Sequence, residues 1–122
     1  LEKLRMDARD NQEKQYEVKI TRHAEQSMRE IAVYIAVDLA EPGTAVKMLK
    51  TFQTEIKKLS MMPQRVHLTP EEPWHGLGVR RLRIKNYYAY FWIDETTLKV
   101  QVMDFVYVGR DQEKQLEKMI IE

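Results

Sequence analysis

The sequence contains no cysteine, only 4 glycines and 4 prolines, and no long apolar run. Without cysteine, neither a disulfide framework nor a cysteine-based zinc site can form. The apolar stretch at residues 31–37 is far shorter than the roughly 18 residues that span a bilayer. We also see no signal-type segment at the start of the chain. These features predict a cytoplasmic protein with no membrane partner.

The sequence also has no large excess of positive or negative charge, because 20 Lys and Arg are balanced by 19 Asp and Glu. A near-neutral total argues against a protein that coats nucleic acid over its whole surface, although it can conceal a local basic patch. The length of 122 residues suits one domain with a single two-layer core.

The motifs of several common catalytic sites are also missing. The chain has no glycine-rich phosphate loop, no serine or cysteine nucleophile motif and no dinucleotide-binding fingerprint. His67, Glu71, Glu72 and His75 share one loop but match no familiar metal-ligand spacing, so we expect neither a metal nor a cofactor. Asp104 interrupts an apolar strand, as either a paired structural carboxylate or a partner of one arginine.

The distribution of apolar residues predicts an α+β fold. Residues 1–15 are rich in charge and form an N-terminal extension, whereas residues 16–122 contain a single domain. Alternation over 16–20 predicts a strand. From Thr21, a plausible N-cap, apolar residues recur every three or four positions, which predicts an amphipathic helix. A breaker at residues 41–43 separates it from a second helix, so the two indicate a helical hairpin.

The second half of the chain has the period of a sheet. Residues 63–77 hold three of the four prolines and are predicted to form a loop. Alternating residues then predict three strands, over 78–85, 87–94 and 98–108, joined as an antiparallel meander. Residues 111–121 return to helical spacing and predict a short C-terminal helix. We expect the N-terminal strand and the hairpin to pack on this small antiparallel sheet.

Strand parity assigns two faces to the predicted sheet. One face is apolar and is expected to lie against the hairpin, whose own core-facing positions include Leu39 and Val46. Its residues are Leu82, Ile84, Ala89, Phe91, Ile93, Val100, Val102, Val106 and Val108. The outer face carries Arg81, Arg83, Lys85, Tyr88, Tyr90, Trp92, Met103, Phe105 and Tyr107. A solvent-facing surface should be mostly polar, so the outer face predicts a ligand or a covering.

The outer face begins with four cations, Arg80, Arg81, Arg83 and Lys85, which have no acid between them and precede an aromatic strand. Arginine matches phosphate geometry and flat rings stack on unpaired bases, so this combination indicates binding of single-stranded nucleic acid. Tyr and Trp are also ordinary strand residues, and the terminal helix, residues 1–15 or a protein partner could cover the same face. The residues alone leave both interpretations open.

Three segments carry a resemblance to a known family: YEVKITRHAEQSMREIAVYIA at 16–36, RLRIKNYYAYFWID at 81–94 and YVGRD at 107–111. In this order they resemble the RelE/ParE superfamily of toxins from bacterial type II toxin-antitoxin modules, over residues 16–112. The resemblance implies a toxin that arrests growth and is held inactive by a cognate antitoxin. RelE-type members cut messenger RNA on the ribosome without a metal, whereas ParE-type members inhibit DNA gyrase.

The resemblance also implies roles for individual residues. In a ribosome-dependent mRNA endonuclease, the catalytic residues would be Arg81, Arg83, Tyr88 and Arg110, and Lys85 and Arg80 would bind RNA. Arginine stabilises charge but moves no proton, so Tyr88 would be the acid and Lys85 the base. Tyr88 stands where such nucleases usually carry arginine, and no tyrosine or histidine closely follows Arg110. We expect the ribosome-dependent endonuclease, because the cations of β2 and Arg110 are predicted to converge on one phosphate-sized site beside Tyr88. A non-enzymatic gyrase inhibitor and an inactive binding domain of the same fold stay open as alternatives.

The aromatic residues of the outer face are expected to bind the antitoxin. They are Tyr90, Trp92, Phe105 and Tyr107. These side chains are too apolar to remain in contact with water, and an antitoxin helix or strand laid across the sheet or its edge would cover them.

Overall fold

The computed structural model describes residues 14–121, which form an α+β fold. The predicted extension at residues 1–15 lies outside this range apart from its last two residues. The elements follow in the order β1 (Glu17–Ile20), α1 (Arg22–Val33), a π-helical turn (Tyr34–Asp38), α2 (Pro42–Lys57), two 3-10 turns (Lys58–Ser60 and Pro63–Arg65), β2 (Arg80–Ile84), β3 (Tyr87–Asp94), β4 (Lys99–Tyr107) and α3 (Gln112–Ile121). This order confirms the predicted fold class.

The helical hairpin forms where the sequence predicts it. Thr21 caps α1, because its hydroxyl oxygen accepts a hydrogen bond from the backbone N–H of Ala24 at 3.1 Å. Helix α2 begins at Pro42, whose fixed φ and missing N–H suit the first turn of a helix. The buried face of α2 runs through Ala45, Phe52 and Ile56.

Between the two helices, the π-helical turn changes which side chains face the core. A π-helical turn has i to i+5 hydrogen bonds and holds more residues than an α-helical turn, so the residues after it rotate away from the face that a 3.6-residue period predicts. Ile35 is buried within the turn, but Leu39 is exposed. On α2, Ala45 is buried in place of its neighbour Val46. The predicted burial of Leu39 is therefore wrong. That of Val46 is also wrong, because Ala45 shares with Phe52 and Ile56 the helical spacing that faces the core, and Val46 lies one position away from it.

The four strands form one sheet in the order β1-β4-β3-β2. Strands β2, β3 and β4 pair in antiparallel fashion, which confirms the predicted meander. Strand β1 is parallel to β4. The helical hairpin that follows β1 returns the chain to the end of the sheet at which β1 began, as a connection between parallel strands requires. The sheet is therefore mixed, whereas the sequence predicts an antiparallel one.

A β-bulge in β4 changes the faces of the sheet. Tyr90 pairs with Asp104 and the next residue, Phe91, pairs with Val102, so Met103 is an extra residue without a partner on β3. One extra residue reverses the alternation of every side chain that follows it on the strand.

The residues after the bulge therefore face opposite to the prediction. Phe105 is buried against the hairpin, with its ring 4.8 Å from that of Phe52. Tyr107 lies on the same side, 6.0 Å from the ring of Tyr87, and Val106 faces outward into a second core. The predicted faces of Phe105, Val106 and Tyr107 are wrong for this reason.

Two apolar cores lie on the two sides of the sheet. The larger core lies between sheet and hairpin and contains Ala24, Met28, Phe52, Ile56, Leu59, Ala89, Phe91, Val100, Val102 and Phe105 among its buried residues. The smaller one lies under α3 and contains Trp74, Val79, Tyr90, Val106, Leu116 and Met119. The terminal helix thus covers part of the outer face, which is one of the coverings that the sequence suggested.

Candidate functional site

Two predicted catalytic arginines lie near the ring of one tyrosine on the outer face. The guanidinium carbon of Arg81 is 4.2 Å from the ring centroid of Tyr88, and that of Arg83 is 5.8 Å from the same point. Because Arg83 pairs with Tyr88 across the two strands, the strand register places these side chains together. We call Arg81, Arg83 and Tyr88 the cation-aromatic cluster.

An acid from the preceding loop partly neutralises this cluster. Glu71 Oε2 lies 3.7 Å from Arg81 Nη1, and the other oxygen of Glu71 accepts a 2.5 Å hydrogen bond from the hydroxyl of Thr69. Thr69 is fully buried, so it fixes the carboxylate opposite the arginine. The sequence analysis does not predict this contact. The signal was present, because Glu71 and Glu72 are the only acids between residues 63 and 93.

Tyr90, which the sequence assigns to antitoxin binding, lies beneath α3. Its hydroxyl donates a 2.6 Å hydrogen bond to Oε1 of Gln112, the first residue of that helix. Burial raises the pKa of Tyr90 to about 12, and the neighbouring Arg81 opposes part of this shift. Tyr90 therefore holds α3 on the sheet and is covered within this chain.

A second basic feature is the groove between the β2-β3 turn and α2. The groove has a volume of about 360 Å³ and is lined by Thr51, Glu55, Arg83, Ile84 and Lys85. Arg83 Nε donates a 2.5 Å hydrogen bond to the carbonyl oxygen of Lys85, which positions the guanidinium at the turn. Lys85 is exposed there, with a φ of 54°. This groove is the part of the basic run that is open to a ligand.

The remaining predicted cations lie apart from the cluster. Arg80 Nη1 donates hydrogen bonds to the carbonyl oxygens of Gln64 at 3.1 Å and Val66 at 2.6 Å, so its guanidinium holds the loop against the sheet. Arg110 is exposed after β4, and its carbonyl oxygen accepts a 2.8 Å hydrogen bond from the side chain of Gln112. Within residues 14–121, no hydrogen bond or ion pair joins Arg80 or Arg110 to the cation-aromatic cluster.

The four aromatic residues expected to bind the antitoxin do not form one surface. Tyr90 and Trp92 lie on the outer face, whereas Phe105 and Tyr107 lie on the hairpin face because of the bulge. Tyr90 and Phe105 are buried within this chain, while Trp92 and Tyr107 are exposed. Only the last two are accessible to a partner in the structure.

The geometry of the cluster suits electrostatic contact better than proton transfer. Arginine supplies positive charge and hydrogen-bond donors but no base. Tyr88 is stacked under Arg81, and Lys85 is exposed at the β2-β3 turn. Across the described part of the chain, no group of three or more His, Cys, Asp or Glu side chains could hold a metal ion.

The sequence matches a family model described as the ParE toxin of the type II toxin-antitoxin system parDE, over residues 18–112. This match covers most of the chain, so the protein belongs to the ParE toxin family, within the RelE/ParE superfamily. It is thus the toxin of a type II toxin-antitoxin module, and its expected partner is an antitoxin. A comparison with curated proteins finds no significant match.

Two solved structures have a similar fold. The chromosomal ParDE toxin-antitoxin system of P. aeruginosa is 23% identical over 78% of this chain and 98% of that chain, with a TM-score of 0.65. The RelBE2 toxin-antitoxin complex of Mycobacterium tuberculosis is 18% identical over 76% of this chain and 98% of that chain, with a TM-score of 0.53. No helix in residues 14–121 has the length and apolar character needed to cross a membrane.

Proposed function

We propose that this toxin acts by binding DNA gyrase and inhibiting it, without cutting messenger RNA. The main support for this proposal is that the guanidinium of Arg81 already has partners within the chain. It is stacked on Tyr88 and ion-paired with Glu71. In a nuclease, such an arginine would need to direct its charge at the scissile phosphate. Membership of the ParE family supports the same choice.

The chemistry of RNA cleavage gives a second reason. Attack by the 2′-hydroxyl needs a base for that proton and an acid for the leaving oxygen, besides cations for the charge on the phosphate. The cluster supplies the cations, but of the two residues that the sequence offers for proton transfer, Tyr88 is stacked under Arg81 and Lys85 is exposed at the β2-β3 turn. A gyrase inhibitor needs no proton transfer at all, so this set of residues is sufficient for it.

The endonuclease is the second candidate function, and the basic groove favours it. Arg83 and Lys85 line a groove large enough for a phosphate group and are not ion-paired to any acid in the described residues. In this alternative, the groove would hold RNA in the ribosomal decoding site. The inactive binding domain is the remaining alternative and would show neither activity.

Two assays on the same purified preparation separate these functions. We expect the protein to inhibit gyrase-catalysed supercoiling of relaxed plasmid and to leave ribosome-bound message intact in primer extension. Message cleaved on the ribosome, with supercoiling unaffected, would contradict the proposal and assign the nuclease. In that case Arg81→Gln should slow cleavage about a hundredfold, as expected for loss of one charge-stabilising donor. Arg22→Gln, at an exposed position on α1, is the matched control.

A further inference from the structure

The tip of the helical hairpin exposes a concentrated apolar surface. Five large apolar residues there are each at least 50% exposed: Val33, Tyr34, Val37, Leu39 and Val46. These five make up half of the exposed large apolar residues found in residues 14–121. We call them the hairpin tip. Four of the five lie within residues 33–39, and exposed apolar residues concentrated in this way, unlike those scattered singly, mark an interaction site.

The backbone under the hairpin tip is irregular but well anchored. The π-helical turn is closed by a 3.1 Å hydrogen bond from the N–H of Leu39 to the carbonyl oxygen of Tyr34. Glu41 N–H then bonds to the carbonyl oxygen of Ile35 at 3.0 Å, and Ile35 is buried. Ala40 has a φ of 54°, a left-handed conformation that costs energy for a residue other than glycine. Irregular turns of this kind are common at functional sites.

The charges around the hairpin tip are mainly acidic. Between residues 30 and 46 there are three acids, Glu30, Asp38 and Glu41, and no lysine, arginine or histidine. The flanking cations are Arg29, which is ion-paired with Glu25, and the exposed Lys47. All three acids are exposed. An apolar patch with an acidic rim is complementary to an apolar surface with a basic rim. A two-fold contact between two hairpin tips would bring the acids of both copies together, so the charges disfavour a second copy of this chain as the occupant.

We propose that the hairpin tip binds the target protein of this toxin, through an apolar surface of the target that is bordered by lysine or arginine. This inference rests on the proposed function, in which the toxin acts by binding a protein. Elsewhere on the molecule, α3 covers part of the outer face, and Arg81 and Arg80 are held by contacts within the chain. Since a standard interface buries about 800 Å² on each partner, the hairpin tip would be its apolar centre.

The experiment compares two variants that remove exposed apolar side chains. Val37→Ser with Leu39→Ser alters the hairpin tip, and Leu77→Ser removes an equally exposed leucine from the loop before β2. Both should unfold at the wild-type temperature, because the altered side chains make few contacts. We expect the tip variant to bind purified gyrase at least tenfold more weakly and to lose growth arrest, while keeping its affinity for the cognate antitoxin. The loop variant should behave as the wild type.

A charge variant tests the rim separately. Replacing Glu30 and Glu41 by Gln, and Asp38 by Asn, should weaken gyrase binding at low salt and flatten its salt dependence, because charged pairs at a rim are screened by ions.

The results separate this inference from the proposed function. If the wild type arrests growth but does not bind gyrase, the proposed target is wrong. The role of the hairpin tip is then decided by whether the tip variant still arrests growth. A tip variant that arrests growth like the wild type would overturn the inference. So would a tip variant that loses only its affinity for the antitoxin, or one that only abolishes a dimer seen in sedimentation.

Discussion

The buried carboxylate of Asp104 joins α1 to β4, and removing it should destabilise the protein strongly. Asp104 Oδ1 accepts hydrogen bonds from the hydroxyl of Ser27 at 2.6 Å and from the backbone N–H of Phe105 at 2.8 Å. His23 Nε2 lies 3.1 Å from Asp104 Oδ2. Of the two roles that the sequence left open for Asp104, these contacts correspond to the paired structural carboxylate.

The magnitude of the effect follows from these contacts. Asp104→Ala removes the acceptor of the Ser27 hydroxyl and of the Phe105 N–H, together with the ion-pair partner of His23, and breaking a buried charged network in this way costs about 3 kcal/mol. In a domain of about a hundred residues, that loss lowers the midpoint of thermal unfolding by roughly 15 °C. Urea unfolding at neutral pH measures the same free energy. Asp38→Ala, at an exposed position, should change it by less than about 0.5 kcal/mol.

The pH dependence gives an independent check on the same residue. Burial raises the pKa of Asp104 above its ordinary value of 3.8, although Ser27 and His23 oppose the shift. The folded state therefore binds the proton more tightly than the unfolded state, so this group contributes stability that is present below the ordinary pKa and lost as pH rises through the folded pKa. Asp104→Asn does not titrate at this position. The difference in unfolding free energy, wild type minus Asp104→Asn, should therefore grow as pH falls from 7 toward 4.

Two results would refute this reasoning. One is an Asp104→Ala variant that unfolds within about 0.5 kcal/mol of the wild type, because a fully paired buried carboxylate cannot be removed at so small a cost. The other is a difference between wild type and Asp104→Asn that shrinks as the pH falls, because that sign requires a lowered pKa in the folded state.

Three further predictions concern the aromatic residues. Tyr90→Phe should lower the free energy of urea unfolding by about 1 kcal/mol through loss of the hydrogen bond to Gln112. It should also remove the tyrosine whose pKa is raised to about 12 from the ultraviolet titration. An unchanged titration would assign the raised pKa to another tyrosine. Phe105→Ala should destabilise the fold by about 3–5 kcal/mol as a core truncation, whereas Trp92→Ala should leave unfolding nearly unchanged and weaken antitoxin binding by about 2 kcal/mol in isothermal titration. Unaltered antitoxin affinity would locate that interface away from Trp92.

The sequence predicts most of the fold, because periodicity and turn residues depend on neighbours in the chain. The N-cap at Thr21, the helical hairpin and the meander all follow from such local patterns. The bulge at Met103 is different, because it depends on pairing between two strands that sequence alternation does not record. One unrecognised extra residue therefore placed Phe105 and Tyr107 on the wrong face.

The candidate site is less predictable for a similar reason. Strand parity correctly brings Arg81, Arg83 and Tyr88 together on the outer face. The contacts that restrain the arginines come from a proline-containing loop without periodicity, which supplies Glu71 to Arg81. The same loop supplies the carbonyl oxygens that hold Arg80. Loop-to-strand contacts of this kind depend on the folded path of the loop, so a sequence pattern gives no register for them.

The proposed binding to DNA gyrase can be measured by isothermal titration of the purified enzyme with this protein, without ribosomes present. We predict saturable binding, and the same preparation should leave ribosome-bound message uncut. No detectable binding to gyrase, together with metal-independent cleavage of message in the ribosomal decoding site, would contradict it.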